Sequence, residues 1–462
     1  MPVVNDIHSQ LNEVRVAEIV AVDSLDGIKR AIRGARERGL PVAIAGGRHA
    51  MGGQQFCEGG LLIDTRAIDR VLGFDSQRGL IDVEAGIQWP ALLAYLSEHQ
   101  GGAGRAWGIA QKQTGADRLS LGGAIAANAH GRGLSMQPIV IDIDELMLVD
   151  SSGEMLRCSR SQNAELFGLV CGGYGLFGVI YSAKLRLVPL QKLERVVEVR
   201  DIDGIVDALE QRIEQGFLYG DFQFAIDPMS PGFLERGVFS CYRPVADETP
   251  LPEGQRVLTR DDWQNLLYLT HADKARAFEL YSTHYLATNG QIYMSDAHQF
   301  ADYEDDYHAW LDERLGASDR ATEMITEIYV PRDRLTDFIE EVAADFAASG
   351  VDVIYGTVRL IERDDDAFLT WARDRWACVI FNIHTIHTPA GLEHAASAFR
   401  RLIDYAVTRG GSYFLTYHRW ATPEQLEAAH PKIREFFALK RTYDPDEVFQ
   451  SEWYRHYREA LA

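Results

Sequence analysis

The chain has 462 residues, 46 % hydrophobic and 25 % charged, the proportions of a globular protein with room for two or three domains. Its formal net charge of −22 lacks the basic footprint that nucleic acids and anionic membranes require, and it disfavours a highly anionic substrate unless a local basic pocket intervenes. The five cysteines (Cys57, Cys158, Cys171, Cys241, Cys378) are scattered with no Cys-x-x-Cys pair, so they suggest neither a disulfide framework nor a zinc site. Residues 1–19 interleave acidic and basic side chains where a signal peptide needs an apolar core, and no run reaches membrane-span length. A soluble, cytoplasmic protein is expected.

In chain order, Ser24 caps a helix reaching about Arg38, and Pro41-Val42-Ala43-Ile44 reads as a buried strand. It runs into Ala45-Gly46-Gly47-Arg48-His49-Ala50-Met51-Gly52-Gly53-Gln54, where four glycines fall within eight residues. Such a loop turns sharply and can converge its N–H groups on phosphate oxygens, and this one carries a nucleophilic imidazole, His49. Strands come next at 60–64 and 79–85, then a helix from Trp89-Pro90 to about Gln100. A glycine-dense stretch covers 101–133; 141–149 and 155–157 form a hairpin around Ser151-Ser152-Gly153; a third glycine cluster, 171–178, leads into a strand. Near residue 190 glycine thins out. Two extended blocks, 219–226 and 322–330, each succeeded by helical or loop segments, suggest a sheet with helices on one side, an α+β domain. The acidic runs at 302–306 and 364–366 read as solvated faces.

The second cluster, Ser120-Leu121-Gly122-Gly123-Ala124-Ile125-Ala126-Ala127-Asn128-Ala129-His130-Gly131-Arg132-Gly133, is built almost entirely of small residues. It suits a flat ring system or a diphosphate, and equally tight helix–sheet packing. The third, Cys171-Gly172-Gly173-Tyr174-Gly175-Leu176-Phe177-Gly178-Val179-Ile180, is not a Rossmann fingerprint, because the residues after its glycines read as strand where that motif opens a helix. Three such loops in one stretch suggest a single long ligand in extended conformation.

Their order resembles the FAD-binding domain of the vanillyl-alcohol-oxidase / p-cresol-methylhydroxylase (PCMH-type) flavoproteins, nearest the sugar and polyol oxidases, decaprenylphosphoryl-ribose oxidase and the Δ24-sterol reductases. Leu439-Lys440-Arg441-Thr442-Tyr443-Asp444-Pro445 through Phe449 is similar to that family's Lys-x-x-x-Asp-Pro tail. The resemblance implies an α+β protein: a two-subdomain FAD-binding domain over 1–190, a cap built on an antiparallel sheet over 191–410, and a returning segment over 411–462. It implies FAD bound through Gly46, Gly47, Arg48, His49, Ala50, Met51 and Gln54 of the first loop, and through Thr114, Ser120, Gly122, Gly123, Asn128, His130 and Gly131. Gly175, Gly178, Val179 and Ile180 complete the cofactor set. His49 falls where the family's histidine bonds the flavin, with Ala50 for the usual Ser; residues 104–117 contain no cysteine for a second bond.

The same resemblance puts Glu327, Arg359 and Asn382 of the cap, with Tyr417 and His418 of the returning segment, over the flavin. Glu327 and Tyr329 share a strand face, and Thr357 stands where polyol oxidases carry Glu. Tyr417 stands at or near a lysine position of several oxidases, and either it or His418 can take a hydroxyl proton. His384 and His387 point to opposite faces, so no two-histidine metal site is expected from them, and the set contains no metal. The implied activity is FAD-dependent oxidation of a small-molecule alcohol, a sugar or polyol, with O₂ as acceptor giving H₂O₂. A dehydrogenase with another acceptor and an NAD(P)H-dependent C=C reductase stand as alternatives. Gly122 falls at the family's oxygen-access position, where a missing side chain would leave a path open. Oligomeric state is not legible.

Overall fold

The structure, a computed structural model, describes residues 1–100, 105–300 and 307–462, so the acidic run at 302–306 lies outside the described residues. The first helix is Leu25–Glu37; Ser24 precedes it in extended conformation and its hydroxyl accepts the Gly27 N–H at 3.2 Å. Its apolar stripe, Ile28, Ala31, Ile32 and Ala35, is buried against three parallel strands in the order Glu18–Ala21, Leu61–Asp64, Val42–Ala45. Strands covered on both faces read as unbroken apolar runs, and this is why these short elements stand out in the sequence.

Next in the chain is a five-stranded antiparallel sheet, ordered Met155–Cys158, Ile143–Val149, Val179–Arg186, Leu80–Glu84, Val71–Asp75. The Asp150 carboxylate accepts the N–H groups of Ser152 and Glu154, each at 2.9 Å, and closes the expected hairpin. The short helix Leu121–Ala127, capped by Ser120, packs on strand Val179–Arg186.

Eight antiparallel strands make the third sheet: Ile292–Met294, Lys192–Asp201, Arg236–Pro244, Tyr219–Phe224, Val353–Ile361, Trp376–Ile386, Ala321–Pro331 and Ser412–Tyr413, in that lateral order. Here the expectation of helices on one side is corrected. Leu335–Ser349 and Pro389–Thr408 cover one face, with Phe346 packed edge-on to Phe381 at 5.6 Å. Arg260–Ala272 and Lys274–Ala287 lie over the other, where they roof a cavity. Double coverage explains why Trp376-Ala377-Cys378-Val379-Ile380-Phe381 is continuously apolar instead of alternating.

The acidic run at 364–366 is a solvated face only at Asp365, which is exposed. Asp364 is buried and accepts the N–H groups of Asp366 and Ala367 and the Asn128 amide, while Asp366 pairs with Arg160 at 2.7 Å. The tail folds back as expected: Val42 N–H donates to the Val448 carbonyl at 2.7 Å and Gln450 N–H to the Val42 carbonyl at 2.9 Å, extending the parallel sheet. All five cysteines are buried and unpaired. No helix among the described residues is long and apolar enough to cross a membrane.

Candidate active site

Between the three glycine clusters and the inner face of the eight-stranded sheet lies a cavity of about 820 Å³. A Cβ on Gly46 would stand 2.0 Å from Ser120 Oγ, and one on Gly47 2.5 Å from the Arg118 carbonyl oxygen. Only glycine therefore lets the first loop lie against the second. Arg48 takes the left-handed φ of 61°, and its guanidinium reaches Asp64 at 3.4 Å. The loop is tied to the returning segment: the N–H groups of Met51 and Gly52 both donate to the Thr416 carbonyl at 3.0 Å, and the Gln54 amide donates to the Leu415 carbonyl at 2.6 Å.

His49 lines this cavity. Its Nδ1 lies 2.8 Å from His8 Nε2, whereas its own Nε2 is buried with no hydrogen-bond partner. Burial lowers its pKa to about 4, the Arg118 carbonyl opposing, so the ring is neutral at pH 7. His8 is a site residue that sequence reasoning misses; it sits in a segment with no local motif, and only the tertiary fold brings it to His49.

Gly46, Gly47, Arg48, His49, Ala50, Gln54, Thr114, Ser120, Gly122, Gly123, Gly175, Gly178 and Ile180 all line the cavity. The structure does not bring five other expected cofactor residues to it. The Met51 side chain belongs to the core, and Val179 pairs with Val149 inside the five-stranded sheet. Asn128 is a left-handed helix cap whose side chain bonds Asp364 and the Val140 N–H. Gly131 N–H donates to Gln111, and His130 stands behind the wall bonded to Glu327. At Gly122 a Cβ would meet Ala85 Cβ at 2.9 Å. The missing side chain there lets the start of the helix lie against Ala85, and both residues line the cavity.

The opposite wall carries Glu327, Arg359, Asn382 and Tyr417. Glu327 is fully buried; Oε1 accepts the Tyr417 hydroxyl at 2.6 Å, and Oε2 accepts Tyr329 at 2.9 Å and lies 2.7 Å from His130 Nε2. His130 Nδ1 faces the Gly131 carbonyl at 2.9 Å and must donate to it. The His130–Glu327 contact therefore holds a second proton, as imidazolium–carboxylate or imidazole–carboxylic acid. Burial alone would raise the Glu327 pKa, but His130 and the Tyr417 hydrogen bond outweigh it and hold it below the ordinary value. Burial and the adjacent carboxylate push the Tyr417 hydroxyl well above 10, and Gln113 donates to it at 3.0 Å.

His418 is elsewhere. It comes directly after Tyr417 and points to the reverse side, stacked on Phe399 at 4.7 Å with Nε2 3.4 Å from Thr326 Oγ1. Burial drops its pKa to about 3, and it does not line the cavity. On this wall Arg359 Nε and Asn382 Oδ1 are buried without a partner; Thr357 Oγ1 is likewise unpartnered but does not line the cavity. The far end is aromatic and basic, with the Arg195 guanidinium 4.4 Å from the Tyr285 ring and the Arg132 guanidinium 4.9 Å from that of Tyr242.

A family profile described as an FAD binding domain matches residues 16–159, which hold the first two loops, and a second described as D-arabinono-1,4-lactone oxidase matches 317–457. L-gulono-1,4-lactone dehydrogenase of Mycobacterium tuberculosis is 25 % identical over 91 % of each chain. Decaprenylphosphoryl-beta-D-ribose oxidase of Mycolicibacterium smegmatis is 24 % identical over 95 % of this chain and 94 % of that one. L-gulonolactone oxidase of Bos taurus is 27 % identical over 42 % of each. With the glycine loops around His49, the folded-back tail and an antiparallel cap facing one cavity, the chain belongs to the PCMH-type FAD-linked oxidoreductases.

Proposed function

We propose that the protein oxidises a CH–OH carbon of a polyhydroxylated small molecule, a sugar, polyol or aldonolactone, with O₂ as electron acceptor. The observation that carries this reading is the Tyr417–Glu327–His130 chain on the cavity wall, with links of 2.6 and 2.7 Å. FAD fits the glycine side: the loops leave it backbone N–H groups and one unpartnered buried imidazole nitrogen, His49 Nε2. When bound, it supplies the two-electron hydride acceptor.

The chain's own residues do the rest. Tyr417 oxygen takes the substrate hydroxyl proton as its own proton passes to Glu327 Oε1, and His130 holds Glu327 in position. Gln113 keeps Tyr417 aimed from the other side. Arg359 Nε and Asn382 Oδ1 are buried groups on the cavity wall in want of partners, and substrate hydroxyls answer to them. We further propose that His49 Nε2 would hold the flavin covalently at its C8α carbon in place of one methyl C–H bond, the proton going to solvent and the electron pair, through the flavin, to O₂. The ring is neutral, and in the tautomer whose Nδ1–H donates to His8 the Nε2 lone pair is free to form the bond.

Purified protein precipitated with trichloroacetic acid should keep its yellow colour in the pellet, and His49→Ala should release flavin to the supernatant with the fold intact. A wild-type pellet without flavin rejects the linkage. Sugars, polyols and aldonolactones are then screened for substrate-dependent peroxide. Reduction of a dye without peroxide would favour a dehydrogenase. Turnover only with NAD(P)H and an alkene would replace the proposal with a reductase.

A further inference from the structure

Outside the cavity lining, side chains from four elements converge where two cap strands run toward the roof helices. Glu323 of Ala321–Pro331 and His384 of Trp376–Ile386 are direct cross-strand partners. His271 comes from the last turn of Arg260–Ala272, and His308 opens the helix His308–Leu315. Glu323 Oε1 lies 3.5 Å from His271 Nε2 and 3.5 Å from His384 Nδ1, and these three atoms all fall within 4.8 Å of one another. The other oxygen, Oε2, accepts the Tyr307 hydroxyl at 2.5 Å and lies 2.8 Å from His308 Nδ1.

This carboxylate is an ion in the protein interior. Burial would raise its pKa, but contacts with His271, His308 and His384 hold it well below the ordinary range. Hydrogen bonding leaves the cluster incompletely satisfied: 3.5 Å is the outer limit of a bond, and both His271 Nε2 and His308 Nε2 are buried without one. The same separations suit a metal. Neighbouring ligands around a tetrahedral ion with bonds of about 2.0–2.1 Å stand about 3.4 Å apart.

We propose that His271 Nε2, His384 Nδ1 and Glu323 Oε1 bind a divalent cation of the zinc class, leaving a fourth position open. Two imidazoles and a carboxylate are ligands zinc accepts. Tyr307 and His308 occupy the second carboxylate oxygen and keep Glu323 monodentate, as outer partners of metal ligands do. Asp312 and Asp352 add negative potential around His384. The consequence is mechanical. Helix Arg260–Ala272, which contributes Trp263, Leu266 and Leu267 to the cavity, is pinned to the cap sheet through its last turn. The site stands on these residues alone and does not depend on the oxidase reading.

The test uses untagged, flavin-loaded protein stripped with a chelator, dialysed and titrated with ZnCl₂, with bound metal read by mass spectrometry. About one zinc per chain is expected. In His271→Ala and His384→Ala the affinity should fall by more than the about 10–100-fold that losing an outer-shell partner costs, with the flavin spectrum unchanged. X-ray absorption at the zinc edge of wild-type protein should show an N/O shell with imidazole scattering, and this decides the matter if either variant fails to fold. Failure of the stripped wild type to take up stoichiometric zinc, zinc retained in full by both folded variants, or a shell without imidazole would each overturn the site. The cluster would then be an ion pair held by protons alone.

Discussion

Tyr417 and His418 adjoin in the chain, yet they do different things. The Tyr417 hydroxyl reaches Glu327 on the cavity face, whereas His418 lies among Phe399, Tyr413 and Trp420 behind it. Neutral, stacked and cut off from the cavity, His418 works as an aromatic side chain. The two substitutions should separate cleanly. Tyr417→Phe keeps the ring and removes the relay, so kcat should fall about 10²–10⁴-fold, the usual worth of a positioned acid–base group, with little change in thermal midpoint. His418→Ala leaves a cavity in an aromatic stack and should cost about 2–4 kcal/mol of stability while the folded fraction turns over normally. Steady-state kinetics beside thermal melts of both variants check this; a loss of kcat in His418→Ala matching that in Tyr417→Phe would restore the histidine as base. Sequence narrows the base to these two positions. It cannot choose between them, because the segment is neither helix nor strand there and no period says which residue faces inward.

Among the elements, legibility tracks burial pattern and chain distance. Helix Leu25–Glu37 and the strands Val42–Ala45 and Leu61–Asp64 are readable because cap, apolar run and glycine loop occur within a few residues of one another. Helices on both faces of the eight-stranded sheet are not, since a strand buried on both sides loses its period-2 signal. Asp364 looks solvated in the sequence because its partner Asn128 is 236 positions away, and His8 and the Glu323 cluster are hidden for the same reason. The tail is legible as a motif, and the structure supplies its physics. Lys440 is fully buried and pairs with Asp444 at 2.8 Å; Asp444 also accepts the Val448 and Phe449 N–H groups at 3.0 and 2.8 Å, which aims the chain at Val42. Lys440→Ala leaves that carboxylate buried without its cation and should destabilise the protein by about 3–5 kcal/mol. Urea denaturation measures it, and a change below about 0.5 kcal/mol would show that the two N–H donors suffice.

For the whole molecule, acid should be the weak flank. His49, with a pKa lowered to about 4, and His418 and His430, each lowered to about 3, are buried neutral, against 6.5 in the unfolded chain. Between those values the unfolded state binds the protons, so the contribution of each ring is complete above pH 6.5 and is lost as pH falls toward the folded value. Each proton adds about 1.4 kcal/mol per pH unit near pH 5; His8 and His298, buried and held well below 6.5, add to the slope, and Asp142, raised to about 7 by burial, opposes it. Glu327, whose pKa is held below 4.5, adds a loss of the same sign only at still lower pH. His384 runs the other way. Burial would lower it, but Glu323 raises it above 6.5, so its contribution is complete below that pH and is lost as pH rises through the raised value. Thermal melts from about pH 8 to about pH 4 should therefore show a steep fall starting near pH 6. His430→Leu should lower the acid slope by about 1.4 kcal/mol per pH unit, since it removes one of these protons. A slope indifferent to His430 would mean that the ring is already charged or exposed in the native state.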